Sequence, residues 1–332
     1  MENAETPGHE LVSRIGSPAV TEAGSRDLPA LVVRLVPAAQ FAWDEYFKAS
    51  LRNPHTRVAF GRAVRRFLVW CEEQGLELSR VTPGHLGDYF AQHPGTIPTK
   101  KQHLAAVRGL FDALVLRHAV VLNPAASLRL ERYQVIEGKT PEITVEQART
   151  LLTSIDTSHV VGLRDRVAIA IMIYTAARAG AVAKLRIKDF AHDGNQWTLQ
   201  FDEKGGKSRE IPVRHDLEQF ILDYLDAAGI RNDPPYSPLL RTTLKKPKVL
   251  TDRPMTGVYL VWMLKRRLKD AGLPTRLSPH SFRVATITDL LTQGVPLEEV
   301  QYLAGHADPR TTRLYDRRQK KVTRNIVERI SI

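Results

Sequence analysis

The residues best suited to chemistry lie close together in the run SPHSFRVATITDLLTQGVPLEEVQYLAGHADPRTTRLY, which spans residues 278–315. His280 and Arg283 are three residues apart, so on a helix they share one face. His306 follows a glycine at a predicted helix end, and Tyr315 ends the run. Arginine matches two phosphate oxygens, histidine can donate a hydrogen bond or pass a proton near neutral pH, and tyrosine can act as a nucleophile. This set suits the binding of a phosphodiester while a phenolic oxygen attacks it.

A further arginine lies at a break in an apolar helical pattern. The pattern is RDRVAIAIMIYTAARAGAVAKL, and Arg178 lies at the break near Ala177, among small and apolar residues. A buried cation needs a partner, because an unpaired one is very costly. The residues leave two partners open: an internal ion pair with Asp189, or a phosphate that arrives with a substrate.

The segment NQWTLQFDEKGGKSREIPVR predicts a β-hairpin, because apolar and polar residues alternate around a Gly-Gly turn. Lys204 and Lys207 flank the turn. The letters GGKS do not make a phosphate-binding loop, because Phe201 stands where that pattern needs its first glycine and a strand follows in place of a helix. On the residues alone, the two lysines are ordinary exposed charges.

Four of these motifs, taken in order, resemble the signature of the tyrosine recombinases, also called the phage integrase family. They are TAARAGAVAKLRIKDF, KGGKSREIP, HSFR, and AGH with a tyrosine nine residues past its histidine. The likeness covers roughly residues 42–320 and is most specific in the last 140 or so. It implies that DNA strands are cut and rejoined through a 3′-phosphotyrosyl link and exchanged through a Holliday junction. Neither a metal nor a cofactor is expected, because the acidic residues are scattered around these groups and form no metal-binding cluster.

The resemblance implies roles for particular side chains. Arg178 and Arg283 would bind the scissile phosphate, and two histidines would add hydrogen bonds or proton transfer. Lys204 would protonate the leaving 5′ oxygen, a task for which Lys207 is the alternative. The full catalytic set is Arg178, Lys204, His280, Arg283, His306 and the nucleophile Tyr315.

Two positions depart from the pattern of many family members. Ala181 stands three residues after Arg178, where many members carry a carboxylate. Val284 directly follows Arg283, where many have a second basic residue. The run FRVATIT is more similar to recombinases carried on transposons and plasmids.

Length, composition and charge limit the classes of protein to which this chain can belong. A chain of 332 residues with 43% apolar content suits two soluble globular domains. The net charge of +12 indicates a polyanionic partner, and double-stranded DNA is favoured over a membrane because no long apolar run is present. Cys71 is the only cysteine, which excludes a disulfide framework or a cysteine-based metal site. The start MENAETPGHE has no apolar signal segment, so we expect a cytoplasmic protein.

The region from Ala42 to Arg129 predicts a small bundle of helices. The helical periods are WDEYFKASL, TRVAFGRAVRRFLVWCEEQG, TPGHLGDYFAQH and TKKQHLAAVRGLFDALVLRH. A basic rim on such a bundle is either a solvated face or a means of binding phosphates without reading sequence. The resemblance favours DNA contact. The candidate DNA-binding residues are Arg57, Arg62, Arg65, Arg66, Lys100 and Lys101, with Lys207 in the hairpin and Lys245 and Lys246 in the loop LKKPKVL.

Composition and resemblance together divide the chain into five parts. Residues 1–38 are expected to form a mobile tail, 39–129 a helical core-binding domain, 130–142 a linker, 143–318 the catalytic domain and 319–332 a helical segment. The implied fold class is mainly α with a small β-sheet, in which a mixed α+β catalytic domain follows the bundle. The last segment carries an apolar stripe that could dock on its own domain, but the family favours docking on a neighbouring protomer in a homo-tetramer.

Three other functions fit part of the sequence. A type IB topoisomerase would use the same chemistry without strand exchange, and a DNA-binding protein would explain the charge but not the ordered set of reactive groups. A metal-dependent nuclease would need a carboxylate cluster, which the sequence does not offer. An accessory recombinase or a transposon-encoded factor is a further partner that the family allows.

Overall fold

The computed structural model describes residues 28–133, 140–202, 208–244 and 249–315, with the backbone alone at Tyr315. The chain divides into two compact units, Met1–Gln134 and Val135–Ile332. No helix in the described ranges is both long and apolar enough to cross a membrane. The expected fold class, mainly helical with small β-sheets, is confirmed.

The described residues of the first unit form five α-helices. They are α1 (Ala30–Val33), α2 (Pro37–Asp44), α3 (Pro54–Glu73), α4 (Pro83–Gln92) and α5 (Ile97–Leu116), and a π-helical segment, Glu45–Ser50, continues α2. Each of α2 to α5 has proline at its first or second position, where no intrahelical donor is lost. The side chains of Asn53 and Thr82 cap α3 and α4 by accepting backbone N–H groups. The core joins α3 to α5, with Phe67 and Phe111 edge to face at 6.2 Å.

The predicted mobile tail over residues 1–38 is wrong for residues 28–38. Helix α1 forms there, and Leu31 and Val32 are buried against the bundle. The apolar run LVVRLVP therefore buries enough surface to order this stretch. Residues 1–27 lie outside the described residues.

The second unit combines eight helices and five strands among its described residues. The helices are α6 (Val145–Thr153), α7 (Val160–Tyr174), α8 (Ala179–Val182), α9 (His215–Ala228), α10 (Gly257–Asp270), α11 (Pro279–Thr292), α12 (Leu297–Ala304) and α13 (Pro309–Tyr315). The strands are β1 (Phe190–His192), β2 (Trp197–Asp202), β3 (Ser208–Pro212), β4 (Arg241–Thr243) and β5 (Leu250–Pro254). Helix α7 is the centre of the core, with Val167–Met172 buried throughout.

The strands form two antiparallel sheets. The first has the order β1-β2-β3, and its β2–β3 pair, with Phe201 opposite Arg209, confirms the predicted hairpin. The second sheet pairs β4 with β5. It was not expected, because the stretch from 231 to 256 is rich in proline and lysine and resembles a connecting loop. Each of its strands is short, and β5 ends at Pro254, so the pattern is too brief to recognise.

A buried ion cluster joins α7 to α10. Asp165 is fully buried and its Oδ1 accepts hydrogen bonds from the fully buried Arg164, at 3.0 and 2.5 Å. Its Oδ2 accepts hydrogen bonds from Arg266 at 3.0 Å and from Arg267 at 2.9 and 2.8 Å. Breaking a buried ion pair from one side typically costs about 3–5 kcal/mol. The cluster therefore fixes α10 firmly on the central helix.

Candidate active site

Arg178 lies at the start of α8, after a turn that follows α7. It is the N-cap residue of this four-residue helix, and its side chain is exposed. The expectation of a buried cation is therefore wrong. Small neighbours in the sequence suggested burial, but the turn carries Arg178 to the surface while Ala176 and Ala177 pack inside. No ion pair with Asp189 forms within the described residues, because Asp189 instead accepts a hydrogen bond from the backbone N–H of Arg186 at 2.8 Å.

Helix α11 supplies the next two candidates. Ser278 and Ser281 form a capping box at its start, and Pro279 occupies the first helical position. His280 and Arg283 follow within the first turns. His280 is exposed, whereas Arg283 is almost fully buried. One face of the helix thus presents both side chains, as their spacing predicts.

A cavity of about 250 Å³ brings these groups together. It is lined by Ala177, Arg178, Ala179, Gly180, Val261, Ser278, Pro279, His280 and Arg283. No residue of this described lining is acidic, so the site carries net positive charge. Partial loss of water lowers the pKa of His280, and the charges of Arg283 and Arg178 lower it further.

The turn before Arg178 is held in an uncommon backbone conformation. Ala176 has a φ of 49°, which lies in the left-handed region that favours glycine. Its carbonyl accepts a hydrogen bond from Nη1 of Arg283 at 2.5 Å. Nearby, Thr286 donates its hydroxyl to the carbonyl of Ile173 at 2.6 Å. These hydrogen bonds hold α11 against the end of α7, so the positions of Arg178 and Arg283 relative to each other are fixed.

A close backbone contact supports the same turn from α10. A Cβ at Gly257 would lie 3.3 Å from the Cα of Gly180. This distance is tighter than most Cβ contacts, so glycine at position 257 lets α10 begin directly against α8 without a shift of either backbone. The turn that carries Arg178 is therefore packed between the start of α10 and the end of α7.

His306 lies just past the end of α12. Gly305 caps that helix with a φ of 61°. The backbone N–H of His306 donates to the carbonyl of Gln301 at 3.1 Å, and the Gln301 side chain donates to the carbonyl of His306 at 2.9 Å. The ring is buried, and its Nδ1 lies 2.8 Å from the hydroxyl oxygen of Thr312. Main chain and ring are therefore both anchored.

The environment keeps His306 neutral. Burial lowers the pKa of His306 to about 3, and the charges of Arg283, Arg178 and Arg209 act in the same direction. Arg283 and Arg178 lower the pKa of His280 and also that of His306. Both histidines therefore lie close enough to feel the charge of the same two arginines. Near pH 7 His306 can donate one hydrogen bond from its ring, without carrying charge.

Two groups of this site were missed in the sequence. Arg209 on β3 is buried, lies over the ring of Phe201 at 5.1 Å, and adds positive potential at His306. The alternation of the hairpin places residue 209 on the same face as the buried Ile211, and this signal could have indicated a buried arginine. Thr312 gives no comparable signal, because threonine is common on helix surfaces.

The remaining catalytic candidates are only partly described. Tyr315 is the last residue of α13, the short helix that follows His306. Lys204, and with it Lys207, lies outside the described residues, as do Lys245 and Lys246. In the described ranges, no group of three or more His, Cys, Asp or Glu side chains is arranged to hold a metal ion.

The basic residues of the first unit fall into two groups. Arg62, Arg66 and Lys101 are exposed. The other three make contacts within the unit: Arg57 donates to the carbonyl of Leu51 at 3.0 and 3.2 Å, Lys100 donates to that of Phe90 at 2.7 Å, and Arg65 lies over the ring of Trp43 at 5.9 Å. The exposed group is therefore the better candidate for contact with phosphates.

The class of protein is shown by the match of this chain to a known family. The matching family model is described as the phage integrase family, and it spans residues 141–321. That is more than half of the chain, so the chain belongs to the phage integrase family.

Individual relatives agree with this assignment. The tyrosine recombinase XerC 2 of Ralstonia nicotianae is 27% identical over 267 residues, which cover 76% of this chain and 74% of the relative. The structure of the XerH site-specific recombinase bound to palindromic difH substrate, a post-cleavage complex, aligns with a TM-score of 0.65 at 20% identity over 85% of each chain. A lambda integrase tetramer bound to a Holliday junction aligns with a TM-score of 0.62 at 14% identity, over 88% of this chain and 82% of that one. The two structures share the fold of this chain.

Proposed function

We propose that this protein is a site-specific DNA recombinase that cuts and rejoins strands through a 3′-phosphotyrosyl intermediate at Tyr315. The observation that carries this proposal is the cationic cavity between α8 and α11. Two arginines and a histidine line it, and none of the described lining residues is acidic. A phosphodiester is the anion that these donors fit, because an arginine fork pairs with two phosphate oxygens. Membership of the phage integrase family supports DNA as the source of that phosphate.

The proposed chemistry follows from the charges around the cavity. Arg178 and Arg283 bind the non-bridging oxygens and stabilise the charge that develops in the transition state. Arg283 is held by the Ala176 carbonyl before substrate arrives, so little reorganisation is needed. His280 and His306 act as neutral hydrogen-bond donors, because their pKa values are lowered.

Attack and religation are balanced reactions. The Tyr315 oxygen attacks phosphorus and releases its phenolic proton to water, the bond to the 5′ oxygen breaks, and Lys204 supplies the proton to the leaving oxygen. The new phosphotyrosyl link is again a phosphodiester and retains the bond energy, so the 5′-hydroxyl of a partner strand can reverse the reaction without ATP. No step requires a metal, since the charge of the arginines replaces that of a cation.

We infer that the active assembly is a homo-tetramer on double-stranded DNA. The support is the fold shared with the lambda integrase tetramer on a Holliday junction. Segment 319–332 is the proposed contact between protomers, and the exposed Arg62, Arg66 and Lys101 are the proposed DNA contacts of the first unit. The proposed biological task is integration, excision or resolution of a mobile element in the cytoplasm, with an accessory factor as an additional partner.

Covalent trapping on nicked DNA tests the proposal. The protein is incubated with nicked duplexes from the flanks of its own gene, in the presence of a chelator, and analysed on denaturing gels. Wild type should give a shifted protein–DNA band, and Tyr315→Phe should give none. Tyr302→Phe is the matched control, because Tyr302 is an exposed tyrosine on the neighbouring helix α12.

The other outcomes separate the alternatives. An adduct that persists in Tyr315→Phe would exclude Tyr315 as the nucleophile. Tight, salt-sensitive binding without any adduct would indicate a DNA-binding protein. An adduct with relaxation of supercoiled DNA, but without exchange between two sites, would indicate an activity of the type IB topoisomerase kind.

A further inference from the structure

We propose that Thr312 is a positioning residue that sets the proton and the orientation of the His306 ring. The inference rests on the proposed function, in which His306 donates a hydrogen bond to the scissile phosphate. Thr312 is not part of the predicted catalytic set, and its proposed effect is exerted only through His306.

The contact is buried and short. Thr312 is fully buried on α13, and its Oγ1 lies 2.8 Å from Nδ1 of His306, itself buried. A buried hydroxyl or imidazole needs a hydrogen-bond partner, because leaving either unpaired is costly. The contact pairs the hydroxyl with one ring nitrogen, so the ring is held at its Nδ1 side.

The hydrogen bond between Thr312 and His306 determines which ring nitrogen of His306 carries the proton. A neutral imidazole has one proton, and only one ring nitrogen can donate. The pKa of His306 is lowered to about 3, so the ring is neutral under working conditions. If the Thr312 hydroxyl donates to Nδ1, the single proton lies on Nε2. In the proposed mechanism, that nitrogen then donates to an oxygen of the phosphate that Arg178 and Arg283 bind.

The position of Thr312 links this donor to the nucleophile. Thr312 lies three residues before Tyr315, within one turn of the short helix α13. The main chain of His306 is fixed separately by its two hydrogen bonds with Gln301 on α12. The bond from Thr312 therefore makes the orientation of the His306 ring depend on the placement of the helix that carries Tyr315. A protomer whose α13 is displaced would lose a correctly oriented donor together with its nucleophile.

Three variants isolate the hydroxyl. Thr312→Val keeps the shape of the side chain and removes the hydroxyl, whereas Thr312→Ser keeps the hydroxyl. Thr311→Val is the matched control, since Thr311 is the preceding threonine on α13 and is only half-buried. In the nicked-DNA assay at saturating protein, Thr312→Val should slow adduct formation by about 10- to 100-fold, the effect expected for misplacing a catalytic group. Thr312→Ser should stay within about threefold of wild type, and Thr311→Val should match wild type.

A double-mutant comparison distinguishes positioning from general stability. In a His306→Gln background, Thr312→Val should cause little further loss, because the two residues act through one interaction. An equal further loss in that background would overturn the proposal. So would equal impairment by Thr312→Ser and Thr312→Val.

A spectroscopic measurement keeps the inference testable if Thr312→Val fails to fold. In wild-type protein labelled with ¹⁵N-histidine, the two ring nitrogens of His306 have different shifts, and the protonated one is identified directly. A proton on Nε2 supports the proposal, and a proton on Nδ1 overturns it. This result does not depend on DNA cleavage, so it also separates failure of the positioning role from failure of the proposed function.

Discussion

The left-handed alanine at position 176 provides a prediction with a definite size. An L-residue other than glycine in this region costs roughly 1–2 kcal/mol, and Ala176 has a φ of 49°. Ala176→Gly removes that strain. It also loses about 0.4–1 kcal/mol because the unfolded chain becomes more flexible, and about 0.8 kcal/mol for a buried methyl group. These contributions nearly cancel, so the free energy of unfolding should change by less than about 1 kcal/mol.

The neighbouring alanine is the control. Ala177 is equally buried but is not among the described residues with positive φ. Ala177→Gly has the same two costs without relief of strain, so it should destabilise the protein by about 1–2 kcal/mol. The difference between the two variants is the strain itself, and it corresponds to a separation in melting temperature of about 2–8 °C.

Differential scanning calorimetry of the two variants measures this separation. Identical melting temperatures would refute the reasoning, because they would mean that the backbone at Ala176 stores no strain. A lower melting temperature for Ala176→Gly than for Ala177→Gly would contradict it more strongly. Ala176 is also the residue whose carbonyl holds Arg283, so the experiment measures strain at a proposed phosphate-binding group.

Gly257→Ala should reduce DNA cleavage about tenfold, measured as the rate of covalent trapping. The new Cβ would lie 3.3 Å from the Cα of Gly180 and push α8, whose N-cap residue is Arg178, by a few tenths of an ångström. The free energy of unfolding should fall as the pH drops from about 6.5 towards 3. The pKa of His306 is lowered to about 3 in the folded protein. In this pH range the unfolded chain therefore binds a proton at His306 that the folded protein does not bind. The slope from His306 alone is up to about 1.4 kcal/mol per pH unit, measured by urea unfolding. Arg62→Gln and Arg66→Gln should each weaken DNA binding on all sequences and reduce the salt slope by about one.

Each of these outcomes has a control. Gly87→Ala should keep full cleavage, because a Cβ at Gly87 would meet no atom within 4 Å. His306→Gln should flatten the acid dependence, and an unchanged slope would show that other groups cause it. Arg80→Gln removes an exposed charge of the same unit, one that pairs with Glu77 at 3.6 Å. If Arg80→Gln lowers the salt slope as much as Arg62→Gln does, the basic residues act through overall charge and not through contact.

Local signals in the sequence predicted a large part of the fold. The alternation around the Gly-Gly turn predicted the pairing of β2 with β3, and the helical periods TRVAFGRAVRRFLVWCEEQG and TKKQHLAAVRGLFDALVLRH predicted α3 and α5. Both features are determined by residues that are close in the sequence. The sheet of β4 and β5 depends instead on where a proline-rich segment folds back, and periodicity carries no such information.

Prediction of the candidate site from the sequence was limited in the same way. The spacing of His280 and Arg283 predicted a shared helix face, but the exposure of Arg178 depends on the turn after α7, which the sequence does not encode as a pattern. The bond between His306 and Thr312 joins a loop to a separate helix. Such contacts follow from tertiary packing, so residues that only position a catalytic group leave little trace in composition or spacing.

The buried ion cluster on α7 and α10 imposes an order on how this protein can change. One carboxylate, Asp165, binds three guanidinium groups, and the Arg266 side chain keeps about half of its surface, 51%, in water. Replacing Arg266 leaves the aspartate with two partners, whereas replacing Asp165 leaves Arg164 and Arg267 as buried cations. A lineage could therefore exchange Arg266 at the least cost, whereas Asp165 and the inner arginines would have to be replaced together, because losing either side leaves a buried charge unpaired. A substitution of Asp165 that is tolerated where the inner arginines are also replaced would destabilise a descendant that keeps them.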